Sequence, residues 1–228
     1  MTIWKRAGSA LCGAVAVAAV VGLSAAPAMA MPASTTLKAK VTGGGSITAT
    51  SAKTVLTDNG ISVTCQASNK KSVISTAKGS ISNGTHSGHG SVNVGITKSL
   101  NFKDCTGPLG KVSNTPGDFS KTTYLITVDS KTTSKGYTDG IIGPVSVAVS
   151  IKGGCSFTVT GSAPGYYNNS KHLLVLTPKL PTHASKKAQL TIGNVQNASL
   201  CLGAVKDGQH PTYTGTYKVS KKVKITVS

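Results

Sequence analysis

The chain lacks whole classes of chemically active side chain. Its 228 residues contain no glutamate, and its single arginine and single tryptophan, Arg6 and Trp4, lie within the first six positions. Arginine is the residue suited to bidentate recognition of phosphate or carboxylate, so lysine alone must supply positive charge elsewhere. With three phenylalanines and six tyrosines, the core must be built mainly from Val, Ile, Leu and Ala.

Recognisable catalytic motifs are also missing. The sequence has no GxSxG elbow, Walker loop, GxGxxG turn or HExxH helix. A glycosidase would need two of the six aspartates, and three of these (Asp58, Asp139 and Asp207) stand at or beside glycine turns. We therefore expect turn roles for these three residues, no cofactor, and no compact catalytic set.

The first thirty residues predict a secretory signal peptide. Lys5 and Arg6 precede the apolar run Ala10–Leu23, and Ala28-Met29-Ala30 has the small-x-small pattern of a cleavage site. An uncleaved anchor is the less favoured interpretation, because the run is short for a membrane span. We expect a secreted product, extracellular or associated with the cell surface, with no transmembrane segment in the mature chain.

Four cysteines follow the predicted signal peptide: Cys65, Cys105, Cys155 and Cys201. An even number of cysteines in an exported chain predicts two disulfides, and three connectivities are possible. Order and spacing favour Cys65–Cys105 with Cys155–Cys201. A zinc site is disfavoured because the chain has no CxxC pair.

The segment 141–161 gives the clearest structural prediction. Val145, Val147, Val149 and Ile151 alternate with small polar residues, and Lys152-Gly153-Gly154 supplies a turn before a second alternating run. Short alternating runs with Gly, Asn and Pro turns continue along the chain, and they predict a tight turn at Asp58-Asn59-Gly60, a glycine-rich loop at 83–90 and a strand at Tyr124–Val128. We therefore predict an all-β antiparallel sandwich. Two segments share a pattern, in which an alternating strand ends in cysteine and a glycine turn and a tyrosine-bearing strand follow. They suggest two related Ig-like halves, 31–129 and 141–228, joined by a linker or crossover at 130–140.

These cysteine, glycine and tyrosine patterns also carry a family resemblance. The segments ISVTC, LNFKDCTGP, GIIGPVSVAVSIKGGCSFTVTGSAPGYY, SLCLG and TYTGTYKV, in that order, resemble a group of actinobacterial secreted four-cysteine all-β proteins of unassigned function. The resemblance covers roughly residues 61–227. It implies compartment and fold class, and it supplies no catalytic residues.

Three pairs of residues are candidate binding positions. His86 and His89 could contribute to a Zn²⁺ or Cu²⁺ site, although a third ligand is required and an extended strand would point them to opposite faces. Tyr166 and Tyr167 beside two asparagines could stack on a sugar, the alternative being packing at a hairpin turn. Lys222 and Lys224 alternate with Val223, Ile225 and Val227, which predicts an edge strand protected by lysine or, less favoured, a binding face.

The charge balance limits the choice of partner. Beyond the signal peptide the chain has 22 lysines and only six aspartates. This excess of positive charge predicts anionic partners. We predict a non-catalytic binding or adaptor module for another exported protein or an anionic envelope polymer, without specific nucleic-acid binding. A secreted hydrolase with a dispersed Asp/His/Ser site is the alternative.

Overall fold

Antiparallel strands dominate the part of the chain that the structure, a computed structural model, describes: residues 35–66, 72–117, 123–181 and 188–228. The predicted signal peptide lies outside these ranges. The strands are β1 (Thr36–Thr42), β2 (Gly45–Ser51), β3 (Lys53–Asp58), β4 (Ile61–Gln66), β5 (Ser75–Ile81), β6 (Gly84–His89), β7 (Val92–Phe102), β8 (Cys105–Gly107), β9 (Gly110–Pro116), β10 (Tyr124–Val128), β11 (Tyr137–Ile151), β12 (Cys155–Asn168), β13 (Leu173–Leu176), β14 (Leu190–Gln196), β15 (Thr212–Val219) and β16 (Lys224–Val227). A single 3₁₀ turn, Ala198–Cys201, interrupts them within these ranges. The predicted all-β antiparallel class is confirmed.

The strands form one large and one small sheet. The large sheet has thirteen strands in the order β14-β12-β13-β15-β2-β5-β7-β10-β11-β9-β8-β4-β3, and additional pairings join β12 to β11 and β15 to β3. The small sheet has the order β16-β1-β6. Because β11 pairs with β12 as well as with β10, the strands from β12 through β2 and β7 to β11 form a closed circuit of hydrogen-bonded neighbours.

The predicted hairpin at 141–161 is confirmed, and it is longer than the sequence indicates. β11 and β12 pair from Tyr137↔Asn168 to Ile151↔Cys155. One edge of β11 pairs with β10 and then β9, while the opposite edge of β12 pairs with β14 and then β13. The β11–β12 hairpin, which we call the spine, therefore pairs along both of its outer edges with other strands of the large sheet.

A β-bulge keeps the apolar face of β11 continuous. Ile142 lies opposite Ala163 and Val145 opposite Gly161, so β11 carries one extra residue in this interval. The extra residue brings Ile142 onto the same face as Val145. Gly161 has φ +110°, and a Cβ there would lie 2.3 Å from the carbonyl oxygen of Gln189, so no other residue fits without a shift.

The buried apolar residues fall into two clusters. The disulfide cluster contains all four half-cystines and the inward residues around them, among them Ile61, Val63, Ile74, Val149, Ile151, Phe157, Val159 and Ile192. The small-sheet cluster joins Leu37, Ala39, Val41, Ile225 and Val227 of the small sheet to Ile47, Ala49, Val92, Val94, Val128, Tyr167 and Tyr217 of the large one. The inward face of β12 contributes to both clusters.

Both predicted disulfides are confirmed, Cys65–Cys105 and Cys155–Cys201, with sequence separations of 40 and 46 residues. Cys65 lies directly opposite Cys105 where β4 pairs with β8. Cys155 opens β12, and Cys201 ends the 3₁₀ turn. Two disulfides fit an oxidising compartment of the extracellular type.

Several local expectations differ from the structure. The glycine-rich segment 83–90, expected to be a loop, contains strand β6. The segment 130–140, expected to be a linker or crossover, contains the first residues of β11. Hydrogen-bonded neighbours such as β15–β2, β15–β3 and β10–β11 come from both sides of that segment, and residues 34–228 form one compact unit. No helix in the described ranges is long and apolar enough to cross a membrane.

Replacing Cys155 and Cys201 together by alanine should lower the free energy of unfolding by about 4 kcal/mol, because the unfolded chain regains the entropy that a 46-residue loop removes. Urea denaturation of the double variant and the native protein at pH 7 measures the difference. Reduction of the native protein serves as a chemical control. A loss below about 1 kcal/mol would contradict a structural role for this bridge.

Candidate functional site: the lysine face of the small sheet

The outward side of the small sheet collects basic and hydroxyl side chains. Along β1 the residues alternate strictly, with Leu37, Ala39 and Val41 buried and their neighbours exposed. The same alternation buries Ile225 and Val227 in β16. We call the exposed side the lysine face, and its residues are Thr36, Lys38, Lys40, Thr42, Thr85, Ser87, His89, Lys224 and Thr226.

Strand register fixes the spacing of the charges on this face. Lys40 lies opposite Thr226, and Thr42 lies opposite Lys224, while Lys38 lies opposite Ser87 of β6. Lys38 and Lys40 are two residues apart on one strand, so their Cα atoms are separated by roughly 7 Å. Lys224 is a diagonal neighbour of Lys40, at a similar distance of about 7–8 Å.

The lysine face carries cationic side chains and no carboxylate from its own strands. None of the three strands contains an acidic residue. Lys222 precedes β16, and the exposed–buried alternation of Lys222, Val223 and Lys224 extends the row by one more cation. The exposure of Lys222 and Lys224 agrees with the sequence pattern, whereas the contribution of Lys38 and Lys40 depends on which strands become neighbours.

The free edge of β16 is covered by side chains rather than protected by lysine. The Asn169 side chain accepts a hydrogen bond from the Ile225 N–H at 2.7 Å and donates one to the Ile225 carbonyl at 2.8 Å. Thr132 accepts a hydrogen bond from the Val227 N–H through Oγ1, and its own N–H donates to the Val227 carbonyl. These groups imitate a neighbouring strand, so the lysines are not needed to block pairing there.

The two candidate histidines lie on β6 and point to opposite sides. His89 belongs to the lysine face, where its Nδ1 lies 3.3 Å from Thr36 Oγ1. His86 is half-buried on the other side, and its Nε2 donates to the Ser82 carbonyl at 3.0 Å. No group of three or more His, Cys, Asp or Glu side chains gathers to hold a metal within the described ranges.

The two candidate tyrosines also face opposite sides, because both lie in β12 rather than in a turn. Tyr167 is buried and donates to the Val223 carbonyl at 2.9 Å. Tyr166 is half-buried and packs on Tyr137, with 5.4 Å between the ring centroids. The adjacent pair therefore does not form one aromatic platform.

Among the described aspartates and histidines, Asp58 and His210 come nearest to the dispersed site of the hydrolase hypothesis. Desolvation raises the pKa of Asp58, and the nearby His210 partly offsets this. His210 Nδ1 contacts the Leu190 carbonyl at 3.2 Å and Thr191 Oγ1 at 3.5 Å. The His210 nitrogen that contacts the Thr191 hydroxyl is thus the same one that contacts the Leu190 carbonyl, which can only accept a hydrogen bond. That nitrogen is therefore not placed as a base that takes the proton of the Thr191 hydroxyl.

The other two aspartates expected at glycine turns, Asp207 and Asp139, form hydrogen bonds within the fold. Asp207 Oδ1 accepts a hydrogen bond from the Val195 N–H at 3.1 Å. Asp139 is a correction: it is fully buried inside β11, not in a turn, and its N–H donates to Ser130 Oγ. Asp118 and His183 lie outside the described residues.

Comparison with known proteins adds no relative. No family model, curated protein or solved structure matched this chain.

The tyrosine hydroxyls of the interior predict a pH dependence of stability. Burial raises the pKa of Tyr167 to about 12 from an ordinary value of 10, and burial also raises the pKa of Tyr217. Because the unfolded state loses these protons first, stability is fully present below pH 10 and falls as pH rises from 10 toward 12. Urea denaturation between pH 9 and 11.5 should show this fall.

The variant Tyr167→Phe should lose less stability over that pH interval than the native protein does. Burial also raises the pKa of Tyr166, on the adjacent and more exposed ring, so Tyr166→Phe is the comparison and should reduce the fall less. An identical alkaline fall in the native protein and Tyr167→Phe would show that Tyr167 does not contribute.

Proposed function

We propose that this protein is an exported, non-catalytic binding module that holds an anionic polymer of the cell envelope on its lysine face. The main support for this proposal is the strand register, which places Lys38, Lys40 and Lys224 on one exposed side of the small sheet. The strands of this sheet contain no acidic residue. Export is supported by the signal-peptide pattern and by the two disulfides. The resemblance to secreted four-cysteine proteins is part of the same proposal.

The shape of the face favours an extended ligand. A lysine ammonium is a mobile point charge without the fixed fork of arginine, so it suits repeated charges better than one precisely oriented anion. A single exposed ion pair contributes about 0–1 kcal/mol. A polymer with a charge every roughly 7 Å along the strand direction could engage several lysines at once, and the intervening hydroxyls could donate hydrogen bonds.

A second exported protein is the less favoured partner class. It would meet the outer edge of β6, which ends the small sheet. That strand has two glycines and no large apolar residue in its sequence GTHSGH. Strand addition there would gain backbone hydrogen bonds but little of the side-chain specificity that such docking uses.

We also propose that the chain forms the β-sandwich that its sequence predicts. Two layers stacked as a sandwich are supported by the small-sheet cluster, since it contains inward residues of both sheets. The duplication into Ig-like halves has less support. Cys105 lies in a strand whereas its counterpart Cys201 lies in a 3₁₀ turn, so the two matching segments have different local structures.

A charge-matched comparison tests the lysine face. The triple variant Lys38→Gln/Lys40→Gln/Lys224→Gln should bind sodium polyphosphate and polygalacturonate about tenfold more weakly than the native protein at 150 mM NaCl, by calorimetric titration. The control Lys152→Gln/Lys171→Gln/Lys206→Gln removes three exposed charges outside the small sheet and should weaken binding less than about threefold.

Equal losses in the two triple variants would mean that the overall positive charge attracts the polymer and that the lysine face has no special role. Absence of binding by the native protein at this salt concentration would overturn the proposed function.

A further inference from the structure

The interior contains an apolar cavity of about 120 Å³. Its walls come from strands all around the closed circuit, including Leu100 and Phe102 of β7, Val145 and Val147 of β11, and Ala163 of β12. These walls include residues of the disulfide cluster and others that pack against it. The cavity is therefore an internal feature of the large sheet and is separate from the lysine face.

A second cavity of about 60 Å³ adjoins the first toward the small sheet. Five residues line both cavities, namely Ala77, Thr97, Ile142, Leu174 and Leu176. Protein interiors normally pack to crystal-like density, and internal spaces of this size leave wall atoms without contacts. A molecule that restored those contacts would stabilise the fold.

One wall of the larger cavity carries a short series of hydroxyl groups. The Tyr213 and Tyr217 hydroxyls are hydrogen-bonded to each other, and Tyr217 is bonded to Ser75 Oγ at 2.9 Å. Thr54 is 1% exposed, and its Oγ1 lies beside the Tyr213 hydroxyl without a well-aligned hydrogen bond to it. A hydroxyl can donate one hydrogen bond and accept two, so Thr54 Oγ1 keeps the capacity to bond a polar group of a bound molecule.

We propose that this cavity binds a small apolar alcohol, whose hydrocarbon part fills the space and whose hydroxyl meets Thr54. A dry engineered cavity of about 150 Å³ in another protein accommodates benzene, so about 120 Å³ suits a molecule of roughly six or seven heavy atoms. The ligand hydroxyl can donate to Thr54 Oγ1 or accept from it. The apolar walls reject charged molecules, since burying an ion without a partner is costly.

Paired probes test the proposal. Phenol at ten times its dissociation constant should raise the melting temperature of the full mature chain by about 4 °C. At equal concentration, benzene should give a smaller rise because it forms no hydrogen bond with Thr54. In Thr54→Val, which keeps the side-chain shape, the two probes should give equal rises.

No rise with either probe would overturn the proposed site. Equal rises with phenol and benzene in the native protein would overturn the role given to Thr54 and the preference for an alcohol.

Variants that fill space provide an independent test. Ala163 lines the cavity, whereas Ala39 is fully buried in the small-sheet cluster and lines neither cavity. Ala163→Val should preserve or raise the melting temperature and weaken phenol binding at least about tenfold, while Ala39→Val should lower the melting temperature because it overpacks a filled region. Equal destabilisation by the two substitutions, or undiminished phenol binding by Ala163→Val, would contradict the cavity assignment. The lysine-face triple variant should bind phenol as the native protein does, even where it has lost polymer binding. The two proposals can therefore fail separately.

Discussion

The pairing between β11 and β12 is the interaction on which the rest of the structure depends. The inward side of this long hairpin passes from the disulfide cluster, at Phe157 and Val159, to the small-sheet cluster, at Tyr167. The bulge after Ile142 allows the apolar side of β11 to stay inward along the same length. Because one hairpin serves both clusters, a change in its register would disturb the whole chain rather than one half.

The hairpin also determines where the two candidate sites lie. Asn169 follows directly after β12, and its side chain holds the edge of β16, so the end of the spine anchors the small sheet that carries the lysine face. The middle of the spine provides Val145, Val147 and Ala163 as cavity wall. The candidate cationic site thus lies on the outside of the small sheet, and the apolar space lies on the inside of the large one, as expected for a chain with few aromatics and many lysines.

Features governed by local sequence were predictable. The hairpin at 141–161, the tight turn at Asn59-Gly60, the strand of Tyr124 and both disulfides follow from alternation, turn residues and cysteine spacing. The local rules were wrong for Asp139 and for 83–90, where glycine and polar residues predicted a turn and a loop. Both belong to strands because neighbouring strands supply their hydrogen bonds, and tertiary pairing overrides local preference.

Features governed by long-range pairing could not be predicted from local patterns. Lys38 and Lys224 are far apart in sequence and share a face because β1 pairs with β16. Thr54, Ser75, Tyr213 and Tyr217 likewise meet only after β3, β5 and β15 have taken their places. Alternation did identify which side of each strand faces inward, but it does not state which strands become neighbours.

Native-state amide hydrogen exchange along β11 and β12 tests the central claim most directly, because exchange reports whether a segment opens alone or with the whole fold. If the hairpin is one spine for both clusters, the slowest amides before and after the bulge, in Tyr137–Ile142 and in Val145–Ile151, will share one opening free energy equal to that of global unfolding. Two distinct opening free energies on the two sides of the bulge would contradict the account, because they would show that the clusters unfold independently.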